Sequence, residues 1–119
     1  MRVVVMGAGK VGFYLAKTLL EHGHQPLVIE RDPERCRWAA DELGIPVTCG
    51  DGSAADTLQA AGARDADAIV TATGADQTNL IACQTARRVF GVKRTLSRVN
   101  DPGNLSVMQR LGVAVPVSS

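Results

Sequence analysis

Residues 3–15 read VVVMGAGKVGFYL, and this stretch decides the fold. An apolar run predicts a buried strand, a helical pattern follows it, and between them Gly7, Gly9 and Gly12 have the spacing GxGxxG. In a dinucleotide-binding turn Gly7 permits the tight turn, Gly9 lets the backbone approach a pyrophosphate, and Gly12 lets the helix pack close to the strand. Free amides and the positive end of the helix dipole favour an anion there. The stretch therefore predicts a phosphate-binding turn.

Short apolar runs and longer helical patterns alternate along the rest of the chain, which indicates a parallel sheet with crossover helices on both faces. The predicted strands are residues 2–6, 26–30, 46–50, 68–73, 94–99 and a last run near 113–117. The predicted helices are residues 10–21, 33–43, 54–61, 75–90 and 102–111. We therefore expect a Rossmann-like α/β fold, a doubly wound parallel sheet of six strands in the order 3-2-1-4-5-6.

Capping residues mark the predicted helix starts. Asp32-Pro33 and Asp101-Pro102 each offer a capping side chain followed by proline at the first helical position. Ser53 can cap the third helix in the same way. These signals agree with five successive strand–helix units.

An acidic residue ends the second predicted strand, where a dinucleotide-binding domain needs one. The Glu30 carboxylate can accept hydrogen bonds from two ribose hydroxyls, and its charge would repel the 2′-phosphate of NADP. Because the neighbouring Arg31 is positively charged, NADP remains an alternative ligand. The structural alternative is a plain strand–helix–strand turn with a surface glutamate. Lys10 either reaches a terminal phosphate or is a solvated helix residue.

Other polar or small residues follow the later strands. Asp51 and Gly52 come after the third strand, Thr73 and Gly74 after the fourth, and Arg98 ends the fifth. Ligands of open α/β sheets bind at this carboxyl edge. Asp51 either bonds adenine or its ribose, or forms an Asx-turn that only shapes its loop.

Composition indicates one globular domain over residues 1–119. Of these residues 45% are apolar and 21% charged, and the net charge is +1, so no global field would attract nucleic acid or an acidic membrane. The N-terminal apolar run is too short for a signal-peptide core, and no run approaches the roughly 20 residues that span a bilayer. We expect a cytosolic domain with no nucleic-acid partner and no direct membrane insertion.

The three cysteines, Cys36, Cys49 and Cys83, are odd in number and widely spaced. This pattern predicts neither a disulfide framework nor a metal site. All three lie in predicted element interiors or ends, where a thiol behaves as a small hydrophobic group. We therefore expect them to serve packing.

With these residues placed, the whole sequence resembles the N-terminal nucleotide-binding (TrkA-N) lobe of RCK domains, the potassium regulatory subunits of the TrkA and KtrA type. The resemblance rests on the motifs GAGKVG at 7–12, VIERDPER at 28–35, GDGS at 50–53, TGADQTNL at 73–80 and RVNDP at 98–102. The set and its order are specific, although each piece alone is not. LGVAVPVSS stands where the family usually has a sixth strand.

The resemblance implies a cytoplasmic regulator that binds NAD(H), or ATP and ADP, and gates a potassium uptake system or channel. It would lie at the inner face of the cell membrane through a potassium-translocating membrane subunit, and would self-associate as a homodimer or a higher ring. By resemblance Gly7, Gly9, Lys10 and Val11 would line the phosphates, and Glu30, flanked by Arg31, would hold the adenosine ribose. Asp51 and Gly52 would lie by the adenine, Thr73 and Gly74 would close the far side, and Arg98 would lie near a subunit contact or the phosphates.

The competing hypothesis is the dinucleotide domain of an NAD-dependent dehydrogenase without its substrate domain. Hydride transfer usually needs an acid or base near the reacting group, and the sequence offers no such pair. His22 and His24 precede the second strand, which places them at the edge opposite the ligand. We therefore expect no enzymatic activity. Because such regulators commonly continue into a smaller C-terminal lobe, we expect this chain to be either an excised lobe or a short stand-alone subunit.

Overall fold

Five parallel strands form the sheet of this protein, whose computed structural model describes residues 1–115. The strands are β1 (Arg2–Met6), β2 (Gln25–Glu30), β3 (Val47–Cys49), β4 (Ala68–Thr71) and β5 (Arg94–Ser97). The α-helices between and after them are α1 (Lys10–Glu21), α2 (Pro33–Leu43), α3 (Ala55–Ala61), α4 (Asp76–Phe90) and α5 (Leu105–Arg110). Short 3-10 turns cover Ala63–Asp65 and Pro102–Asn104.

The strand order is β3-β2-β1-β4-β5, which confirms the predicted Rossmann-like class and the order of its first five strands. After α5, Ala114 forms an isolated parallel bridge with Leu96 of β5. No sixth strand forms within residues 1–115. The remainder of the predicted run, residues 116 and 117, lies outside the described residues.

Alternation along β1 explains why helices cover both faces of the sheet. Val4 and Met6 point into a core shared with the later helices, whereas Val3 and Val5 point into a second core on the opposite face. Successive side chains of a strand face opposite sides, so a central strand must be apolar throughout. The first core also contains Ile29, Leu58, Ile69, Ala82, Cys83 and Met108, and the second contains Ala16, Val28 and Ala39.

The sheet changes winding direction between β1 and β4, and this switch point positions the site. Met6 at the end of β1 pairs with Ile29 on one side and with Thr71 on the other. The loops after β1 and β4 therefore diverge from adjacent strand ends. An open crevice results, which is where ligands bind in such sheets.

Two of the three predicted caps are confirmed. Asp32 accepts a hydrogen bond from the amide of Glu34 at 3.1 Å, and Asp101 accepts one from the amide of Gly103 at 2.9 Å. The second cap begins a 3-10 turn that precedes the shorter α5. The prediction that Ser53 caps α3 is wrong. The Ser53 hydroxyl donates to Asp51, two residues earlier, and α3 begins after Ala54 without a side-chain cap.

Candidate functional site

A cavity of about 440 Å³ opens at the carboxyl ends of the strands. It brings together most of the predicted site residues: Gly7, Gly9, Glu30, Arg31, Asp51, Gly52, Thr73 and Gly74. Arg98 also lines it. Lys10 and Val11 do not; both are exposed on the first turn of α1.

Two glycines of the first loop are required by the fold itself. Gly7 has φ +100°, a backbone conformation that side chains disfavour, and a Cβ there would come within 3.1 Å of the Ala72 carbonyl oxygen. At Gly12 a Cβ would overlap the carbonyl oxygen of Gly7. These residues let α1 start directly against the strand end, as the GxGxxG spacing predicts.

Gly9 differs, because nothing in the protein requires it to be glycine. Its φ of −73° is ordinary, and a Cβ there would meet only the Arg35 guanidinium, at 3.5 Å. The space that glycine keeps open is space in the cavity. The backbone at the start of α1 is therefore accessible from the cavity.

The N-terminus of α1 has features that favour an anion. Gly9 is its N-cap and provides no side-chain cap, and its first turn carries no acidic residue. By contrast, α2, α3 and α4 carry Glu34, Asp56 and Asp76 in their first turns. Uncapped amides at a helix start need hydrogen-bond acceptors, and the helix dipole favours negative ones.

Glu30 is buried at the end of β2, with 9% of its surface exposed. Its Oε1 accepts a hydrogen bond from the Ala8 amide at 2.8 Å, and its Oε2 accepts one from the Asp32 amide at 2.8 Å. The carboxylate thus fixes the glycine loop relative to the turn after β2. Each carboxylate oxygen has room for a second donor, so the group can still accept two ribose hydroxyls.

Asp51 forms an Asx-turn, which the sequence offered as the alternative to a contact with adenine or its ribose. Its Oδ1 accepts hydrogen bonds from the amide and the hydroxyl of Ser53, at 2.9 and 2.7 Å. These two bonds, backbone first, lower the pKa of Asp51, and the nearby Arg31 charge adds to the effect. The carboxylate is therefore a fixed negative charge at the rim of the cavity. Gly52 serves packing, since a Cβ there would overlap the sulfur of Met6.

The loop after β4 forms one wall of the cavity, and Asn79 holds it in place. The sequence did not predict this role of Asn79. Its side chain is fully buried; Oδ1 accepts from the hydroxyl and the amide of Thr73 at 2.6 and 3.2 Å. Its Nδ2 donates to the carbonyl oxygens of Thr73 and Arg98 at 3.0 and 3.3 Å. One amide side chain therefore joins the loops after β4 and β5. The only sequence signal was a polar residue at a core-facing position of a predicted helix.

Asp76, at the start of α4, makes a second set of polar contacts near this wall. The Asp76 carboxylate accepts from the amides of Asn100 and Asp101, at 2.7 and 2.9 Å, and from the side chains of Asn100 and Asn104, both at 3.0 Å. Burial opposes ionisation, but these hydrogen bonds outweigh it and lower the pKa of Asp76 to about 2. The start of α4 is thus fastened to the segment before α5.

Three arginines give the cavity its positive groups. Arg31, Arg35 and Arg98 all line it and are exposed, together with the carboxylates of Glu30 and Asp51. Arg35 was not assigned a role from the sequence, although it lies in the quoted motif at 28–35. Its guanidinium lies next to Gly9, within reach of an anion bound at the start of α1.

His22 and His24 lie in the turn between α1 and β2, at the edge opposite the cavity, as predicted. Within residues 1–115, no group of three or more His, Cys, Asp or Glu side chains is placed to hold a metal ion. No helix in the same range is long and apolar enough to cross a membrane.

Known proteins resemble this chain in sequence and in fold. Residues 3–119 match the TrkA-N domain family. The Trk system potassium uptake protein TrkA of Streptomyces coelicolor is 40% identical over 113 residues, which are 95% of this chain and 51% of that protein. The chain therefore spans about half the length of this curated relative.

Two solved structures share the fold. The Kef CTD of Shewanella denitrificans in AMP bound form has a TM-score of 0.85 and 24% identity, and the match covers 99% of this chain and 72% of that one. The GsuK channel bound to NAD has a TM-score of 0.83 and 18% identity, over 96% of this chain and 21% of that one. At these identities the likeness is evidence for the fold alone.

Proposed function

The chain belongs to the TrkA-N domain family, and from this membership we propose that it is a nucleotide-binding regulatory domain of a potassium uptake system or channel. The observation that carries the nucleotide site is Gly9, whose missing side chain leaves open space at the uncapped start of α1. A diphosphate there would accept hydrogen bonds from the free amides. Arg35, beside Gly9, would add a charged donor.

The adenosine end of the ligand would lie toward β2 and β3. Glu30 would accept the two ribose hydroxyls while keeping its bonds to the loop amides. Arg31 and the loop that contains Asp51 would border the adenine, and Thr73 and Gly74 would border the phosphate side. Lys10 and Val11 would contribute through their backbone amides, because their side chains lie outside the cavity lining.

NAD(H) and the adenine nucleotides ATP and ADP share the chemistry that this cavity recognises, namely a ribose with two free hydroxyls and a diphosphate. Two proteins that share the fold are described with related ligands: the GsuK channel with NAD, which has both groups, and the Kef CTD with AMP, which has the ribose and a single phosphate. NADP fits less well because its 2′-phosphate would face the buried Glu30 carboxylate.

We place no catalytic step at the cavity. The two carboxylates that line it are already engaged, since Glu30 and Asp51 both accept hydrogen bonds from loop amides. The 40% identical relative is named for potassium uptake and not for a reaction. A dehydrogenase remains the alternative, and it would require a substrate domain to complete the nicotinamide side.

As a regulator, the domain would act in the cytoplasm at the inner face of the membrane, on a potassium-translocating subunit. It would self-associate as a homodimer or a higher ring. Exposed apolar side chains on α4, on α5 and directly after α5 support such a surface: Ile81, Val89, Leu105, Val107 and Leu111.

The hydrogen bonds of Asn79 and Asp76 would couple a bound ligand to the positions of α4 and α5. A phosphate contact at Thr73 or Arg98 would act on Asn79, which bonds both loops. Asp76 then couples the start of α4 to the segment before α5. Ligands that differ at the phosphate end would shift the populations of two helix arrangements, because a ligand shifts an equilibrium by its differential affinity.

The test replaces the matching segment of the Streptomyces coelicolor protein with this chain and measures rubidium uptake in cells that lack their own Trk regulator. We expect uptake to be restored, and a Gly9→Val chimera produced at equal level to lose nucleotide-dependent uptake. If the unsubstituted chimera assembles and binds nucleotide but uptake is the same as without any regulator, the proposed regulation of potassium transport is wrong.

A further inference from the structure

Two cysteines meet behind the ribose side of the cavity. Cys36 lies in α2 with 6% of its surface exposed, and its thiol donates to the Glu30 carbonyl oxygen at 3.1 Å. Cys49 ends β3 and is paired with Glu30 in the parallel register of β2 and β3. Its thiol donates to the Arg31 carbonyl oxygen at 3.8 Å. The two thiols therefore bond the carbonyls of consecutive residues.

The backbone confirms how close they are. The Glu30 carbonyl oxygen accepts both the Cys36 thiol and the Gly50 amide, the latter at 2.9 Å. The Cys36 sulfur therefore lies near the end of β3, beside the residue that follows Cys49. Burial, followed by a hydrogen bond with Cys49, raises the pKa of Cys36 to about 12. The two thiols are thus neighbours in the reduced protein.

Packing does not explain this pair. Cys49 is exposed, contrary to the prediction that all three cysteines serve packing, because β3 is a short strand at the sheet edge. Cys83 shows what the packing role looks like: it is 1% exposed, inside the core, next to the Thr71 hydroxyl at 3.4 Å. An exposed thiol beside a buried one is instead the arrangement of an attacking and a resolving cysteine.

We propose that Cys36 and Cys49 form a redox modification site that a low-molecular-weight disulfide, such as oxidised glutathione, converts into an intramolecular disulfide. Disulfides that form inside cells are usually transient and redox-sensing. The site is separate from the nucleotide contacts but shares the Glu30 backbone with them.

The chemistry is two successive thiol–disulfide exchanges. The Cys49 thiolate attacks one sulfur of oxidised glutathione, a Cys49–glutathione bond forms, and the first glutathione leaves as a thiolate. The Cys36 sulfur then attacks the Cys49 sulfur, the mixed disulfide breaks, and the second glutathione leaves. The two protons lost by the cysteines go to the two glutathione thiolates, and the two electrons reduce the glutathione disulfide.

The first exchange prepares the second. The hydrogen bond and the charge of Cys49 are both among the causes that raise the pKa of Cys36. Once Cys49 carries glutathione, both are removed, while burial, the largest cause, remains. The Cys36 sulfur then lies beside the sulfur that it must attack.

Oxidation would reach the nucleotide site, a consequence that rests on the proposed function. The new bond removes the Cys36 donor from the Glu30 carbonyl and ties the end of β3 to α2. The loop that follows β3 carries Asp51, and Glu30 holds the glycine loop. We expect the oxidised form to bind adenine nucleotides several-fold more weakly.

The experiment equilibrates the chain, without nucleotide, in mixtures of oxidised and reduced glutathione, alkylates free thiols and measures intact mass. We expect the loss of two hydrogen atoms, a Cys36–Cys49 cross-link in the peptide map, and full reversal by reduced glutathione. Trp38 lies two residues after Cys36 in α2, and its ring centroid is 4.6 Å from that of Phe13. Its fluorescence should follow the same titration.

Matched variants make the outcome decisive. Cys83→Ala should still form the cross-link, whereas Cys49→Ser, a change at an exposed position, should leave Cys36 reduced at every glutathione ratio. The proposal is overturned if wild-type protein stops at a Cys49–glutathione mixed disulfide, or if both cysteines remain fully alkylatable. No nucleotide is present, so this result is independent of the proposed function.

Discussion

The Oε1 atom of Glu30 lies 2.8 Å from the amide nitrogen of Ala8 and accepts its hydrogen bond inside the protein. The end of β2 and the glycine loop are therefore held together before any ligand arrives. A site preorganised in this way loses less free energy to ordering when it binds. Four predictions follow from this geometry and from the wall opposite it.

Replacing Glu30 by Gln should weaken adenine-nucleotide binding. The amide keeps the shape of the side chain, but it removes the charge and replaces one of the two oxygens that accept backbone amides by a donor. A hydrogen bond to a charged group contributes about 1.5–3 kcal/mol, or roughly 10-fold to 100-fold in affinity. Calorimetric titration measures the change. Glu34→Gln, an exposed change in the first turn of α2, is the control, and equal affinities of the two variants would refute the ribose assignment.

Gly9→Val and Gly12→Ala should separate binding from folding. A Cβ at Gly9 would meet only Arg35, so we expect at most about 1 kcal/mol loss in the free energy of unfolding but no measurable nucleotide binding. At Gly12 even a methyl group overlaps the Gly7 carbonyl, so folding itself should fail or weaken. Urea unfolding and calorimetry on both variants provide the check. Retained affinity in Gly9→Val would count against the phosphate position.

Asn79→Ala should loosen the cavity wall. The change leaves the buried polar groups of Thr73 and the Arg98 carbonyl without their partner, at a cost of about 1–3 kcal/mol for each group that water cannot reach. Hydrogen exchange should accelerate at the amides after β4 and β5, while the β1 amides change only with global stability. Unchanged exchange in these loops would show that Asn79 does not hold them.

Asp76 should make stability depend on pH in the acid range. Its folded pKa, about 2, lies below an unfolded value of about 3.9. The stabilisation is therefore fully present above the unfolded pKa and is lost as the pH falls through the folded value.

The measurement compares unfolding free energies of wild type and Asp76→Asn between about pH 6 and about pH 2. We expect wild type to be more stable at the upper end and the difference to shrink toward the lower end. Asp41→Asn, an exposed change in α2, is the control. A difference that stays constant with pH would contradict the assignment.

Local spacing was enough to predict the part of the site that is local. The first five strands depend on short-range patterns, and the structure confirms their order. The glycine loop and Glu30 also follow from local patterns, and both lie at the cavity. Asn79 and Arg35 were missed because their contacts lie between elements that are distant in sequence. The predicted Ser53 cap failed for a related reason, since Asp51 competes for the same hydroxyl.

Some strand ends were also misplaced. β4 and β5 end at Thr71 and Ser97, two residues earlier than predicted. Beyond Thr71, the Thr73 backbone finds its partners in the Asn79 side chain instead of in a neighbouring strand. Propensity alone does not reveal such a long-range partner.

The most direct test of the central claim is parallel calorimetric titration of wild type and Gly9→Val with NADH, NAD, ADP, ATP and NADPH. We predict saturable one-site binding of NAD(H) or of ATP and ADP to wild type, weaker binding of NADPH, and none to the variant. Equal binding of these ligands to wild type and to a folded Gly9→Val variant, or no binding to either, would contradict the account.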